Sequence, residues 1–145
     1  MVKKELFDKC VGLLEESGLG ENAFCEVTWV FEDVADGEDI TPEQEKRISD
    51  IVTRRCEGYP LQYLLGQWEF YGLPFKVGEG VLIPRQDTET IVDTALKMFA
   101  GKKDITVIDL CSGSGCIGIT LERKLDCGRA VCVETVSYTH LRAHE

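Results

Sequence analysis

The sequence predicts an α/β protein in two parts. A small amino-terminal helical domain comes first, then a β-hairpin connector and the beginning of a doubly wound α/β domain. Three observations predict this. Residues 1–58 carry apolar residues at helical spacing between glycine stops. Residues 67–77, Q-W-E-F-Y-G-L-P-F-K-V, are rich in strand formers. Residues 105–134 then run strand, glycine turn, helix, strand, the order that builds a parallel sheet.

The helical part reads as three amphipathic helices. Leu6, Cys10, Leu13 and Leu14 recur at helix spacing, and Gly18 and Gly20 end that segment. Ala23, Phe24, Val27, Val30, Phe31 and Val34 form a second stripe, closed by Gly37. Thr41-Pro42-Glu43-Gln44 is a helix start: Thr41 caps, Pro42 suits the first helical position, and Gln44 completes a capping box. Ile48, Ile51 and Val52 face one way, and Gly58 stops the helix. These stripes are expected to pack against one another as core. A short helix follows within 59–66, entered at Pro60 and ended at Gly66.

Trp68, Phe70, Phe75 and Val77 predict a hairpin around a Gly72-Leu73-Pro74 turn. After the breakers Gly78, Gly80 and Pro84, a helix is expected over 87–100, with Ile91, Val92, Ala95, Leu96 and Phe99 on its buried side. A strand at 105–110, a helix at 116–125 and a strand at 130–134 complete the pattern. The expected division is 1–66 helical, 67–84 connector and 85–135 α/β. Residues 136–145, V-S-Y-T-H-L-R-A-H-E, lack apolar periodicity and resemble translated adapter sequence, so we read them as foreign.

Composition narrows the function classes. No apolar run approaches the roughly 20 residues of a membrane span. The N-terminus has basic residues with no apolar stretch behind them, so a secretory signal is not expected. Seven cysteines without a C-x-x-C pair suit reduced thiols in a cytoplasmic protein. Net charge is −10, and residues 1–60 hold 15 acids against 7 bases. That balance argues against direct nucleic-acid binding, which needs clustered Lys and Arg. It suits a solvated acidic surface or one that steers a protein partner.

The chemistry concentrates in 107–118, V-I-D-L-C-S-G-S-G-C-I-G. Such a turn sits at the carboxyl end of a strand, where open α/β sheets bind ligands. Gly113, Gly115 and Gly118 match the G-x-G-x-x-G dinucleotide pattern, so the start of an NAD-type oxidoreductase is one reading. Asp109 points elsewhere, because a carboxylate at the strand end disfavours a nearby phosphate. A cofactor carrying an ammonium and a sulfonium, such as S-adenosylmethionine, welcomes it. Glu134 ends the next strand and suits a carboxylate that bonds both ribose hydroxyls. The cofactor-binding candidates are Asp109, Cys111, Ser112, Gly113, Ser114, Gly115 and Glu134. His140 and His144 stand at i, i+4 within the suspect tail, and no metal site is expected. A Cys-His nucleophile is not expected either, since no histidine lies outside that tail.

Asp109-x-Cys111-x-Gly113-x-Gly115 resembles the first motif of Rossmann-like methyltransferases, with Cys111 where the family pattern has its first glycine. Three further segments carry a closer likeness: Y-P-L-Q-Y-L-L-G at 59–66, F-Y-G-L-P-F at 70–75 and V-L-I-P-R-Q-D-T-E at 81–89. With them the chain resembles the HemK/PrmC family of protein-(glutamine-N5) methyltransferases over roughly residues 1–135. The resemblance implies a release-factor-docking helical domain, a hairpin connector and the beginning of a Rossmann-like, S-adenosylmethionine-dependent methyltransferase domain. It also implies methyl transfer to the glutamine amide of a Gly-Gly-Gln motif in peptide chain release factors, by a monomer that touches neither membrane nor nucleic acid. Arg85, Asp87 and Glu89 match the linker signature, with a role near the cofactor or in helix capping and packing. The family's acceptor-orienting Asn-Pro-Pro-Tyr is absent and the one asparagine is Asn22, so no catalytic residue is assigned and this chain alone is expected to be inactive. The other reading, from a different class, is a non-catalytic module whose helical domain docks a protein.

Overall fold

The computed structural model describes residues 3–19, 22–35, 37 and 39–135. The expectations for 136–145, including His140 and His144, lie outside them. The chain divides into two compact units at Leu65/Gly66.

The first unit is helical: α1 (Lys3–Glu16), α2 (Ala23–Val34), α3 (Pro42–Cys56) and the single-turn α4 (Leu61–Leu65). Leu6, Cys10, Leu14, Val27, Val30, Phe31, Ile48, Ile51, Val52 and Leu61 form its core. Leu13 and Phe24 were expected in those stripes but are exposed. Each follows or precedes an inward residue by one position, which turns it about 100° around the helix. Phe24 instead rests edge-on against Phe7, at 5.2 Å between ring centres.

The junction between α2 and α3 explains the order of this unit. Thr41 Oγ1 accepts the Gln44 N–H at 3.2 Å, and Gln44 Oε1 accepts the Thr41 N–H at 2.9 Å. The same Gln44 side chain donates through Nε2 to the Val34 carbonyl at the end of α2, at 3.0 Å. One residue thus caps α3 and satisfies a terminal carbonyl of α2. Arg55 adds a two-pronged ion pair to Glu26, at 2.6 and 3.1 Å, which ties α3 to the first turn of α2. The Glu26 bond pushes the Arg55 guanidinium pKa up, against the opposing effect of burial.

The second unit begins with the antiparallel hairpin β1 (Gln67–Phe70) and β2 (Leu73–Lys76). Its turn is Tyr71-Gly72, one residue earlier than the sequence suggests; Leu73 and Pro74 belong to β2. Both turn residues have positive φ, +54° and +74°, the backbone that a two-residue hairpin loop demands. Pro74 is tolerated because a two-stranded ribbon leaves each strand an unpaired edge. A 3-10 turn (Gln86–Thr88) leads into α5 (Glu89–Phe99), where Val92 is buried but Ile91 is exposed, contrary to expectation. The correction again follows from the 100° step between neighbouring helix positions.

β3 (Ile105–Leu110), α6 (Cys116–Lys124) and β4 (Cys127–Val133) form a strand–helix–strand crossover with β3 and β4 parallel. β4 starts three residues before the apolar run, since Ile105 pairs with Cys127 and Thr106 with Arg129, the register shifting across Gly128 between them. α6 packs on both strands and against α5. Alternation along β3 leaves Ile108 and Leu110 63% and 69% exposed, and their neighbour Val133 on β4 is 44% exposed. Parallel sheets are normally covered on both faces.

Two measurements test this account. Thr41→Ala is expected to lower the unfolding free energy by about 1 kcal/mol, read by denaturant titration of the helical signal. The chain is expected to self-associate through the bare sheet face, and Ile108→Thr with Leu110→Thr should restore a monomer in sedimentation velocity. Unchanged association in the double variant would remove that face from consideration.

Candidate functional site

The candidate site grows from the carboxyl end of β3. Asp109 is half-buried, and its Oδ2 accepts the Gly118 N–H at 2.9 Å. Gly118 lies in the first turn of α6, whose N–H groups have no partner within the helix. A carboxylate from the preceding strand therefore acts as the cap, with its charge at the positive end of the helix. The approach is close enough to exclude a side chain. A Cβ on Gly118 would stand 2.6 Å from Cys132 Sγ and 3.0 Å from Asp109 Cβ. Sequence reading matched Gly118 to a nucleotide pattern but left it, and Cys132, out of the site. The signal for Gly118 was a small residue one turn into the helix; for Cys132, on the strand facing Asp109, there was none.

Between strand and helix the backbone turns through three left-handed residues, Cys111 (φ +58°), Gly113 (φ +54°) and Gly115 (φ +75°). Ser112 N–H bonds the Val133 carbonyl at 3.1 Å, so the turn leaves the sheet as a continuation of its ladder. Gly115 N–H bonds the Ser112 carbonyl at 2.8 Å, and the Gly115 carbonyl accepts the Ile119 N–H at 2.9 Å. Ser114, Gly115 and Cys116 are buried, whereas Cys111 is exposed. Burial pushes the Cys116 thiol pKa up, partly offset by its hydrogen bond with Ser114.

Glu134 reaches this turn from the end of β4. Its Oε2 accepts the Gly113 N–H at 2.7 Å, while Oε1 accepts the Thr135 N–H at 2.7 Å and the Thr135 hydroxyl at 3.2 Å. Asp109, 111–115 and Glu134 therefore lie together, linked through Gly113 and Gly118. Two carboxylates engage the turn and the helix after it, and the N–H groups of 112, 113 and 115 in the turn and of Gly118 in α6 already have protein acceptors. A pyrophosphate needs such donors free and the charge reversed. A cation, or a pair of hydroxyls that donate, meets acceptors suited to it.

The linker residues divide. Arg85 and Asp87 are exposed. Glu89 Oε1 accepts the Tyr71 N–H at 2.7 Å, and Asp93, one helical turn on, accepts the Tyr71 hydroxyl at 2.7 Å. The Asp93 bond pushes the Tyr71 phenol pKa up. Glu89 thus holds the strained hairpin turn onto α5. Among the described residues no group of three His, Cys, Asp or Glu side chains could hold a metal ion, and no helix is long and apolar enough to cross a membrane.

Cys111 carries a cost that glycine would not. Cys111→Gly is expected to stabilise the chain by about 0.5–1 kcal/mol, the left-handed penalty less the larger entropy of an unfolded glycine. Thermal unfolding of the α/β unit reads it, and a destabilised variant would mean that the thiol makes compensating contacts.

Known proteins are similar to this chain over most of its length. The family model for the PrmC N-terminal domain matches residues 5–66. A release factor glutamine methyltransferase of Fusobacterium nucleatum is 36% identical over 132 residues, covering 83% of this chain and 37% of that protein. One from Geobacter sulfurreducens is 38% identical over 142 residues, covering 90% of this chain and 49% of its own length. A Bacillus cereus relative of the same name is 42% identical over 87 residues, covering 58% and 31%. The chain thus spans between 31% and 49% of the length of these relatives. It belongs to the HemK/PrmC family, whose curated relatives here are methyltransferases named for release factors.

Proposed function

We propose that this chain supplies the helical and cofactor-binding parts of a Rossmann-like enzyme that methylates the side-chain amide N5 of glutamine in the Gly-Gly-Gln motif of peptide chain release factors. Its cofactor in this reading is S-adenosylmethionine. The observation that carries the reading is the pair of carboxylates at this turn, Glu134 on the Gly113 N–H and Asp109 on the Gly118 N–H one turn into α6. That set of groups suits a cationic sulfonium and a ribose diol. It disfavours the NAD alternative, whose pyrophosphate would meet two anions and few free N–H groups.

The residues present fit the cofactor's chemistry. Bound S-adenosylmethionine supplies an electrophilic methyl group on a sulfonium. Glu134 would accept the ribose hydroxyls, and Asp109, by holding α6 against β3, keeps the turn at 111–115 in shape. Gly113 leaves its stretch of backbone open, with nothing within 4 Å of where a Cβ would stand, whereas Gly115 packs inward against Ile119. An amide nitrogen is a poor nucleophile, so the acceptor must be aligned with the methyl before reaction. The Asn-Pro-Pro-Tyr that would orient it does not occur in this chain, which alone is therefore inactive. In this scheme residues 1–66 dock the release factor, 67–84 connect and 85–135 bind cofactor. The apolar groove between α1 and α2, lined by Phe7, Phe31 and Ala35 and rimmed by Lys3, Lys4 and Glu32, offers the docking unit a surface.

Titration calorimetry against S-adenosylmethionine and NAD tests the cofactor. Binding of the first and not the second is expected, and Glu134→Gln should weaken it roughly tenfold, about 1.4 kcal/mol, through loss of charge-assisted hydrogen bonds. Tighter binding of NAD would overturn the proposal. Methylated glutamine in a release factor incubated with this chain and cofactor would overturn the stated inactivity.

A further inference from the structure

Glu134 meets the glycine turn with most of its hydrogen-bonding capacity in use. An ionised carboxylate offers about four acceptor sites, shared between its two oxygens. Oε2 accepts the Gly113 N–H at 2.7 Å. Oε1 accepts two donors from the next residue, the Thr135 N–H at 2.7 Å and the Thr135 hydroxyl at 3.2 Å. The protein itself therefore fills at least three of the sites. The two hydroxyls of a ribose diol both donate, and together they exceed the capacity that is left. At least one resident donor must withdraw for both to bind.

The three residents differ in what their departure costs. Two are backbone N–H groups, one on each oxygen, and neither leaves without moving the main chain. The Gly113 N–H is further fixed because its neighbour Ser112 bonds the Val133 carbonyl at 3.1 Å. The Thr135 hydroxyl makes the longest of the three bonds, from an exposed side chain that turns about a single torsion. We propose that Thr135 is a specificity-determining residue that acts through Glu134: its hydroxyl occupies Oε1 in the free chain, as a stand-in for a sugar hydroxyl, and withdraws to water when the diol binds. The inference rests on the reading of Glu134 as the ribose-binding carboxylate. On it, the diol gains a hydrogen bond at Oε1 while the protein gives up one of the same kind. Removing the Thr135 hydroxyl removes that loss and leaves both backbone bonds in place. Affinity then rises for a ligand that carries the diol and stays the same for one that lacks it.

Titration calorimetry on the full chain compares S-adenosylmethionine with its counterpart lacking both ribose hydroxyls. Thr135→Val is expected to tighten the first about threefold, the net worth of one exposed hydrogen bond, and to leave the second unchanged. Thr135→Ser keeps the hydroxyl and should bind both ligands as the unsubstituted chain does. Amide hydrogen exchange at Gly113, followed without ligand, should be the same in all three proteins, because the backbone bonds hold the carboxylate. Unchanged or weaker S-adenosylmethionine binding by Thr135→Val overturns the proposal, as does an equal gain for both ligands. Faster Gly113 exchange in Thr135→Val overturns it too, since the hydroxyl would then be positioning Glu134. An unsubstituted chain that binds no S-adenosylmethionine overturns the ribose reading of Glu134, and this proposal falls with it.

Discussion

The α/β unit depends on one hydrogen bond, from the Gly118 N–H to the Asp109 carboxylate. It satisfies a donor that the first turn of a helix otherwise leaves open, and it places a negative charge where the helix dipole favours one. It can form only because position 118 has no side chain, so sequence and geometry constrain each other tightly there. The turn at 111–115, the seating of α6 on the sheet and the position of Cys132 all follow from that contact. A charged hydrogen bond of this kind is worth about 1.5–3 kcal/mol. That is a large fraction of the stability expected for a unit with a two-stranded sheet at its centre.

The helical unit solves a different problem. Its four helices are short, and isolated helices of such length are marginal in water. Apolar packing of α1, α2 and α3 supplies most of what propensity does not. Gln44 and the Arg55–Glu26 pair then fix which helix end meets which. Both devices act across the α2–α3 boundary, where the Arg47–Asp33 pair adds a further link at 3.0 Å.

Much of this was legible in the sequence, for reasons that can be named. The capping box at Thr41 and Gln44 is local, and local chemistry decides it. The strand at Ile105–Leu110 and the glycine turn were readable because alternation and punctuation are sequential signals. The hairpin turn was misplaced by one residue, since Pro74 looks like a turn former while Tyr71 does not look like a residue of positive φ. Its conformation is sustained from 18 residues away by Glu89, and no local rule sees that. Likewise Leu13, Phe24 and Ile91 are apolar by composition, but a helix offers only one inward line, and their neighbours occupy it. Glu134 was assigned from spacing alone; its bond to Gly113 is long-range and emerges only with the fold.

Under the proposed cofactor reading, that bond changes what recognition at Glu134 means. A hydroxyl arriving there meets a carboxylate already accepting from the Gly113 and Thr135 backbones and from the Thr135 hydroxyl. Capture is then an exchange and not an addition: each new donor shares or displaces a resident one. The net gain is a difference between two similar hydrogen bonds, and selectivity shifts to whatever else the incoming molecule touches. In return the carboxylate is held in place before any ligand comes, so little rotamer entropy remains to be lost on binding.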